Sequence, residues 1–399
     1  MSNPLPNSLQ QKKPMIIGGL TALSVLLFIF IYITPLWWVA LTAPNYPETA
    51  FPDGVRINFH MNGVFNGCTK IDSDEVQESE ALDCVHEMDT INHYVGMYPI
   101  AAGGPIERGF SPFLITMLVI MVIAFAIGDP KKRTIFLTIT LLLNSLWMAN
   151  TIFKENGLNT QNEGYLYALM NQLDQDANDK SLGDEEVKAV NSTRALAQLK
   201  ASLAGKEYIE EKMSEQQSDV AQVKTEISDK QHLLKELQIS FEVDMANRNI
   251  DEKWVGNGYQ LMSWHYAKVL GRYFNNPAEI DPMVKTLKLA TLVVFWGLII
   301  AAILLIWQTR VNKGIFYYIL IFVPMALPVF FIIDYAAWLW WYGHTLNDMG
   351  AFAVKPFMPT VFGVGKVAQF STFSYPSIGF GFMVLNSAIL AAIVLLKRK

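Results

Sequence analysis

Charged residues and cysteines are both scarce in this 399-residue sequence. Asp, Glu, Lys and Arg make up only 17% of the chain, whereas soluble domains carry about 25%. A membrane protein is therefore the leading class. The mild net charge of −5 argues against a nucleic-acid partner, which requires a basic surface. Two cysteines, Cys68 and Cys84, are too few for a disulfide framework and enough for one bridge.

Signatures of hydrolytic catalysis are also missing. The sequence has no Ser-His-Asp series, paired-carboxylate signature or zinc motif with adequate spacing. GVGK at 363–366 lacks the remaining positions of a Walker motif, so nucleotide binding is not predicted. No histidine falls within an apolar run, which argues against a haem held between two histidines inside the membrane.

Long apolar runs are what the sequence does contain. About 20 apolar residues in a helix cross the ~30 Å hydrocarbon core of a bilayer. The runs predict an all-α integral membrane protein with about six transmembrane helices. They cover 15–41, 113–128, 135–153, 287–307, 314–341 and 378–396.

Positive charge is concentrated in four short segments, which fall on one side of the membrane if six spans alternate. The positive-inside rule makes that side cytoplasmic, together with both termini, and we interpret the first run as a retained anchor. Segments 42–112, 154–286 and 342–377 then lie outside. The basic residues are Lys12, Lys13, Lys131, Lys132, Arg133, Arg310, Lys313, Lys397, Arg398 and Lys399.

The second outer segment contains a polar insertion with helical periodicity. Apolar residues recur every seven positions, which predicts a coiled-coil-like helical hairpin, and a docking arm for another subunit is the alternative. Residues 264–274 predict an amphipathic helix in the membrane interface before the fourth span. The heptad positions are Met213, Val220, Ile227, Leu234 and Phe241.

The first outer segment contains the stretch CVHEMDTINHYVGM at 84–97. Thioether and imidazole groups suit monovalent copper, so His86, Met88 and His93 are candidate ligands and copper is the candidate cofactor. The alternative for His93 is a hydrogen bond to backbone that fixes a turn. A Cys68–Cys84 disulfide is favoured in an oxidising compartment, with thiolate ligation as its alternative.

The same segment is acidic, with eight carboxylates between positions 72 and 89 and one nearby lysine, Lys70. A solvated acidic loop, which includes Asp89, is the simplest interpretation. The functional alternative is an electrostatic landing site for a cation or for a basic carrier such as a c-type cytochrome.

Asp334 is the one acidic residue well inside an apolar run. A carboxylate at membrane depth is costly, so it is expected to have a partner or a function. Structural pairing with a Tyr or Asn side chain is the favoured interpretation. Pro324 and Pro328 predict a kink in the same run. The third outer segment is expected to be a re-entrant or surface-hugging loop.

Three segments resemble a known family. LTAPNYPE at 41–48, INHYVGM at 91–97 and FGVGKVAQFSTFSYPSIGFG at 362–381 are similar to motifs of NosB-type polytopic membrane proteins, which are encoded beside nitrous-oxide reductase in clade II gene clusters. The match covers about a third of the chain; Thr49 and the long helical insertion depart from the family pattern. The motif positions are Pro44, Tyr46, Pro47, Glu48, Asn92, His93, Tyr94, Gly96, Met97, Gly363, Ala368, Phe370, Thr372, Ser374 and Tyr375.

The resemblance implies a non-catalytic accessory or anchor subunit of respiratory nitrous-oxide reduction in a bacterial cytoplasmic membrane. Its expected partner is the extracytoplasmic copper reductase, with electron delivery or copper-site maturation as further roles. The alternatives are a membrane transporter or copper-handling protein, suggested by Asp334 and the methionines, and a purely structural assembly scaffold.

Overall fold

The computed structural model describes residues 7–69, 82–179, 229–308, 315–367 and 369–398. Helices dominate these residues, and short strands occur near both ends of the chain. The helices are α1 Asn7–Ile33, α2 Cys84–His93, α3 Pro105–Ala126, α4 Pro130–Phe153, α5 Glu163–Asp179, α6 Asp229–Asn247, α7 Gly258–Leu270, α8 Pro277–Gln308, α9 Ile315–Met325, α10 Leu327–His344 and α11 Ile378–Arg398; the strands are β1 Trp37–Thr42, β2 Val55–His60, β3 Gly63–Asn66, β4 Gly363–Val367 and β5 Phe370–Pro376.

Among the described residues, five helices are long and apolar enough to cross a membrane, and a bent pair gives a sixth candidate. The bent pair is Tyr317–Met325 with Leu327–His344, and its two parts meet at 54°. Pro324 and Pro328 lie on either side of the break, where a missing N–H and the ring weaken the helix. The predicted kink is therefore present. The five continuous helices are Lys12–Ile33, Pro105–Ala126, Pro130–Phe153, Pro277–Trp307 and Ile378–Lys397.

The two helices at the ends of the chain pack against each other. A buried polar contact lies between them, in which Ser24 Oγ donates a hydrogen bond to Asn386 Oδ1 at 2.6 Å. Ser24 and Asn386 are both almost fully buried, surrounded by apolar side chains such as Phe28 and Leu390. Hydrogen bonds between side chains of two helices stabilise a helix pair in lipid. The hydrophobic effect contributes little there, because lipid tails are as apolar as the side chains of the partner helix.

The prediction of a purely all-α fold is wrong, because the described residues also form a five-stranded antiparallel sheet of order β3-β2-β1-β5-β4. The apolar run 15–41 is a helix only as far as Ile33, and Trp37–Thr42 forms the central strand. Pro35 interrupts the helix, and the aromatic and branched residues after it favour an extended backbone. The third outer segment contains the hairpin β4–β5 where a surface-hugging or re-entrant loop was expected.

One face of this sheet is packed around Trp37. Its indole is almost fully buried and its Nε1 donates to Ser374 Oγ at 2.9 Å. Ser374 Oγ in turn donates to the carbonyl of Val361 at 2.8 Å and lies 3.3 Å from Tyr335 Oη. One hydroxyl therefore joins β1, β5, α10 and the residues that precede β4.

The polar insertion contributes α5 and α6, which pack against each other. Leu234 and Phe241 of the predicted heptad stripe lie on α6, whereas Met213, Val220 and Ile227 lie outside the described residues. The helix expected to lie in the membrane interface is enclosed by protein instead: Trp264 and Leu270 on α7 are buried. Its tryptophan Nε1 donates to Asp244 Oδ2 on α6 at 3.0 Å, so the polar group that favoured an interfacial position is satisfied internally.

The replacement Ser374→Ala removes a buried hydroxyl that makes several polar contacts at once. We expect a loss of about 1–3 kcal/mol in the free energy of unfolding, because the Trp37 N–H and the Val361 carbonyl lose their partner. Thermal unfolding of the detergent-solubilised protein measures it. Ser371→Ala is the matched control on the same strand and should leave the midpoint within error; equal effects of the two variants would contradict this account of Ser374.

Candidate functional site

The helix α2, which contains most of the candidate ligands, is fixed at its beginning. Cys84 is bonded to Cys68 with their Cα atoms 6.0 Å apart, so the predicted disulfide is confirmed and thiolate ligation is ruled out. Asp83 caps the helix by accepting hydrogen bonds from the backbone N–H groups of Val85 and His86. A bridge over 16 residues stabilises this region by about 3 kcal/mol on the chain-entropy argument.

The three residues predicted to bind copper are not brought together. Met88 is 1% exposed and packs into the apolar core beneath the sheet. His86 is two residues earlier on the same helix and therefore points to a different face. The imidazole of His93 stacks on the ring of Tyr273, with ring centroids 4.4 Å apart and planes at 7°. No group of three or more His, Cys, Asp or Glu side chains in the described part of the chain could hold a metal ion.

Asp89, expected in a solvated acidic loop, is buried instead. Its Oδ1 accepts a hydrogen bond from the backbone N–H of Ile100 at 2.7 Å, and its Oδ2 lies 4.0 Å from Nη1 of Arg272. Burial raises the pKa of Asp89 to about 6, and the guanidinium of Arg272 opposes this shift. The prediction failed because Asp89 shares the inner face of α2 with Val85, four residues earlier.

Two buried arginines extend this polar contact across several helices. Arg272, just after α7, donates from Nη2 to the carbonyl of Gln172 on α5. Arg108, in the first turns of α3, donates from Nη2 to the carbonyl of Ala101 at 2.9 Å. With its amide oriented to satisfy both neighbours, the Gln172 side chain bridges Ala101 and Arg108. Sequence reasoning missed Arg108, Arg272 and Gln172, since nothing near them in the chain marks them as buried partners of Asp89.

The first and third motif segments meet in the sheet. Strand β1 pairs with β5 so that Leu41 lies opposite Thr372 and Val39 opposite Ser374. Tyr46, in the turn after β1, donates from Oη to Glu87 Oε2 on α2 at 3.1 Å. The motif residues Pro44, Pro47 and Glu48 belong to that turn, Gly363, Phe370 and Tyr375 belong to the hairpin, and Ala368 lies outside the described residues.

The second motif segment meets the loop between α10 and β4. The Gly96 carbonyl accepts from the backbone N–H of Asn347 at 2.8 Å, and the Tyr94 carbonyl accepts from that of Phe352 at 2.9 Å. Gly96 has φ +82°, and a Cβ built on it would lie 2.5 Å from the carbonyl oxygen of Asn347. Asn92 closes the turn through its own carbonyl, and Met97 is buried beyond it. Glycine is therefore required at position 96 by both conformation and space.

Asp334 lies in the first half of α10. The next residue, Tyr335, contacts Ser374 of the sheet. The carboxylate of Asp334 is repelled by that of Glu107, in the first turn of α3. Its side chain is exposed, and no hydrogen bond or ion pair of its carboxylate is found among the described residues. The expected pairing with Tyr or Asn is absent there, since the tyrosine beside it points into the sheet core.

An exposed apolar segment follows α10, between positions 349 and 364. It is attached to the second motif through the Phe352–Tyr94 backbone hydrogen bond. Exposed apolar side chains grouped in this way are typical of interaction surfaces. The residues are Met349, Phe352, Met358, Phe362 and Val364, exposed by 47–69%.

No protein-family model, curated protein or solved structure matches this chain.

The buried carboxylate predicts a pH dependence of stability. Because the pKa of Asp89 is raised from 3.8 to about 6 in the folded protein, stability is highest when the carboxyl is protonated and falls as pH rises through about 6. The full contribution is about 3 kcal/mol, lost between the unfolded pKa near 4 and the folded pKa near 6, and stability is level above about pH 7. Thermal unfolding midpoints should decline between pH 5 and pH 7 in the native protein and be nearly flat over this window in Asp89→Asn. An equal decline in both proteins would contradict the assignment to Asp89.

The turn at Gly96 gives a second prediction. Gly96→Ala should lower the free energy of unfolding by about 1–3 kcal/mol, because alanine at positive φ is strained and its methyl group meets the Asn347 carbonyl. Thermal unfolding in detergent measures the loss. Gly381→Ala is the control, since a Cβ there meets nothing within 4 Å; a neutral Gly96→Ala would show that the turn tolerates a side chain.

Proposed function

We propose that the protein is a multi-pass membrane subunit that docks an extracytoplasmic enzyme on its disulfide-bonded outer domain. The resemblance of its three motif segments to NosB-type proteins indicates which enzyme: the copper-containing nitrous-oxide reductase. The observation that carries the proposal is the convergence of these segments, far apart in sequence, on one end of the helix bundle.

The chemistry of the motif residues supports a structural role for most of them. Ser374 and Gly96 hold the domain together, and Tyr46 fixes the first turn to α2. The surface that they support is apolar, with Tyr94 half exposed beside Phe352. A rigid platform under an exposed apolar segment suits docking, because little conformational freedom is lost when a partner binds.

Two exposed side chains of that segment, Met349 and Phe352, provide the test. The double replacement Met349→Ser and Phe352→Ser should reduce the amount of nitrous-oxide reductase that co-purifies with the solubilised protein at least tenfold. Apolar anchors at the centre of an interface contribute about 1–2 kcal/mol each, and a tenfold change corresponds to about 1.4 kcal/mol.

Val243→Ser with Ile250→Ser is the control, since both side chains are apolar and about half exposed, and they lie on or just after α6, away from the segment between α10 and β4. This control should retain the reductase. Absence of the reductase from the native preparation, together with unchanged nitrous-oxide reduction after deletion of the gene, would overturn the proposal.

A further inference from the structure

The two edges of the outer sheet differ in how far neighbouring elements cover them. Strand β3 forms one edge and is covered by α2 and α5. A Cβ on Gly63 would lie 2.6 Å from that of Ala168 on α5. Asn66, at the end of β3, donates from Nδ2 to the carbonyl of Leu82 at 2.6 Å. Neighbouring elements therefore close this edge.

Strand β4 forms the other edge and packs on β5, with no other described helix or strand against it to a comparable extent. The side chains of Phe362, Val364 and Lys366 are exposed in alternation. Natural proteins usually protect an edge strand with proline, several charges or a bulge. Gly363–Val367 contains no proline and one charge, so its edge has little protection.

The pairing register identifies which backbone groups this edge presents. Val367 lies opposite Phe370, with two residues between them, and Gly365 lies opposite Thr372. In a two-residue hairpin the pair beside the turn exchanges both hydrogen bonds, and such pairs alternate along the ladder. Gly365 and Val367 therefore bond to β5. The N–H and C=O groups of Val364 and Lys366 point to the open edge.

The composition of the strands indicates what would pair there. The five strands contain Arg56 and Lys366 but no Asp or Glu. The guanidinium of Arg56 lies over the ring of Trp38, on the same face as Lys366, since Trp38 pairs with Tyr375 and Thr42 with Ser371. An extended peptide with an apolar residue beside Val364 and a carboxylate beside Lys366 complements this edge in backbone and in charge.

We propose that the open edge of β4 takes up an extended acidic segment of an extracytoplasmic partner as a sixth strand of the sheet. Main-chain hydrogen bonds to Val364 and Lys366 provide the affinity, and the lysine selects the carboxylate. The inference rests on the proposed function only for the identity of the partner, which is then the docked reductase.

Replacement of one backbone donor tests this pairing. Val364→Pro removes an N–H that points to the open edge and leaves the β4–β5 ladder intact, and an edge position tolerates proline. Val364→Ala is the matched control, because it keeps the N–H. Lys366→Glu is compared with Lys355→Glu, an exposed lysine in the preceding loop.

The readout is photocrosslinking in native membranes from benzoylphenylalanine placed at Phe362, with the crosslinked peptide identified by mass spectrometry. We expect one extended, carboxylate-containing segment of one extracytoplasmic protein. Its yield should fall at least fivefold in Val364→Pro and Lys366→Glu and stay unchanged in both controls. Crosslinks to lipid or to a second copy only, or equal yields from Val364→Pro and Val364→Ala, would overturn the inference.

Backbone amide exchange of the native protein keeps the test independent of how the proline variant folds. The amides of Val364 and Lys366 should exchange rapidly in the purified chain and at least tenfold more slowly in the native complex; equal rates would overturn the inference. A strand from a protein other than the reductase would support the edge pairing and contradict the proposed function. A bound reductase without slower amide exchange in β4 would support the proposed function and contradict the edge pairing.

Discussion

The pairing of β1 with β5 is the contact on which the sheet-containing part of this protein depends. It joins residues 37–42 to 371–376, at opposite ends of the chain, directly beyond the ends of α1 and α11. Those two helices also pack against each other. The chain segments that pair as helices therefore also pair as strands, and each of the two contacts helps to align the other.

Several features of the region around the sheet follow from that pairing. The inward residues of β1, among them Trp37 and Leu41, build a core onto which Met88 and Val85 of α2 pack. Once α2 is held by this core and by the Cys68–Cys84 bridge, Asp89 is carried inside, where Ile100 and Arg272 must satisfy it. A buried acid beside a buried arginine is weak support for stability, because the desolvation of both charges offsets their attraction.

The hydropathy and composition of the chain predicted the helical spans and the kink near Pro324, because both arise from local sequence. The disulfide was predicted because the chain has no third cysteine with which Cys68 or Cys84 could pair. The sheet could not be predicted in the same way. WWVALT reads as the end of an apolar helix, and its partner strand lies more than 300 residues later. Copper binding by His86, Met88 and His93 stays a prediction, and helix geometry turns His86 and Met88, two residues apart, to different faces.

The sequence by itself determined that several helices are long and apolar enough to cross a membrane, since this property depends only on the length and composition of each apolar run. It also limited any disulfide within the chain to Cys68 and Cys84, as only two cysteines exist. Only the tertiary structure decided that Asp89 is buried, that the side chain of Asp334 is exposed, and that three distant motif segments share one domain. Those outcomes depend on which faces meet after the chain folds back on itself, and no local pattern contains that information.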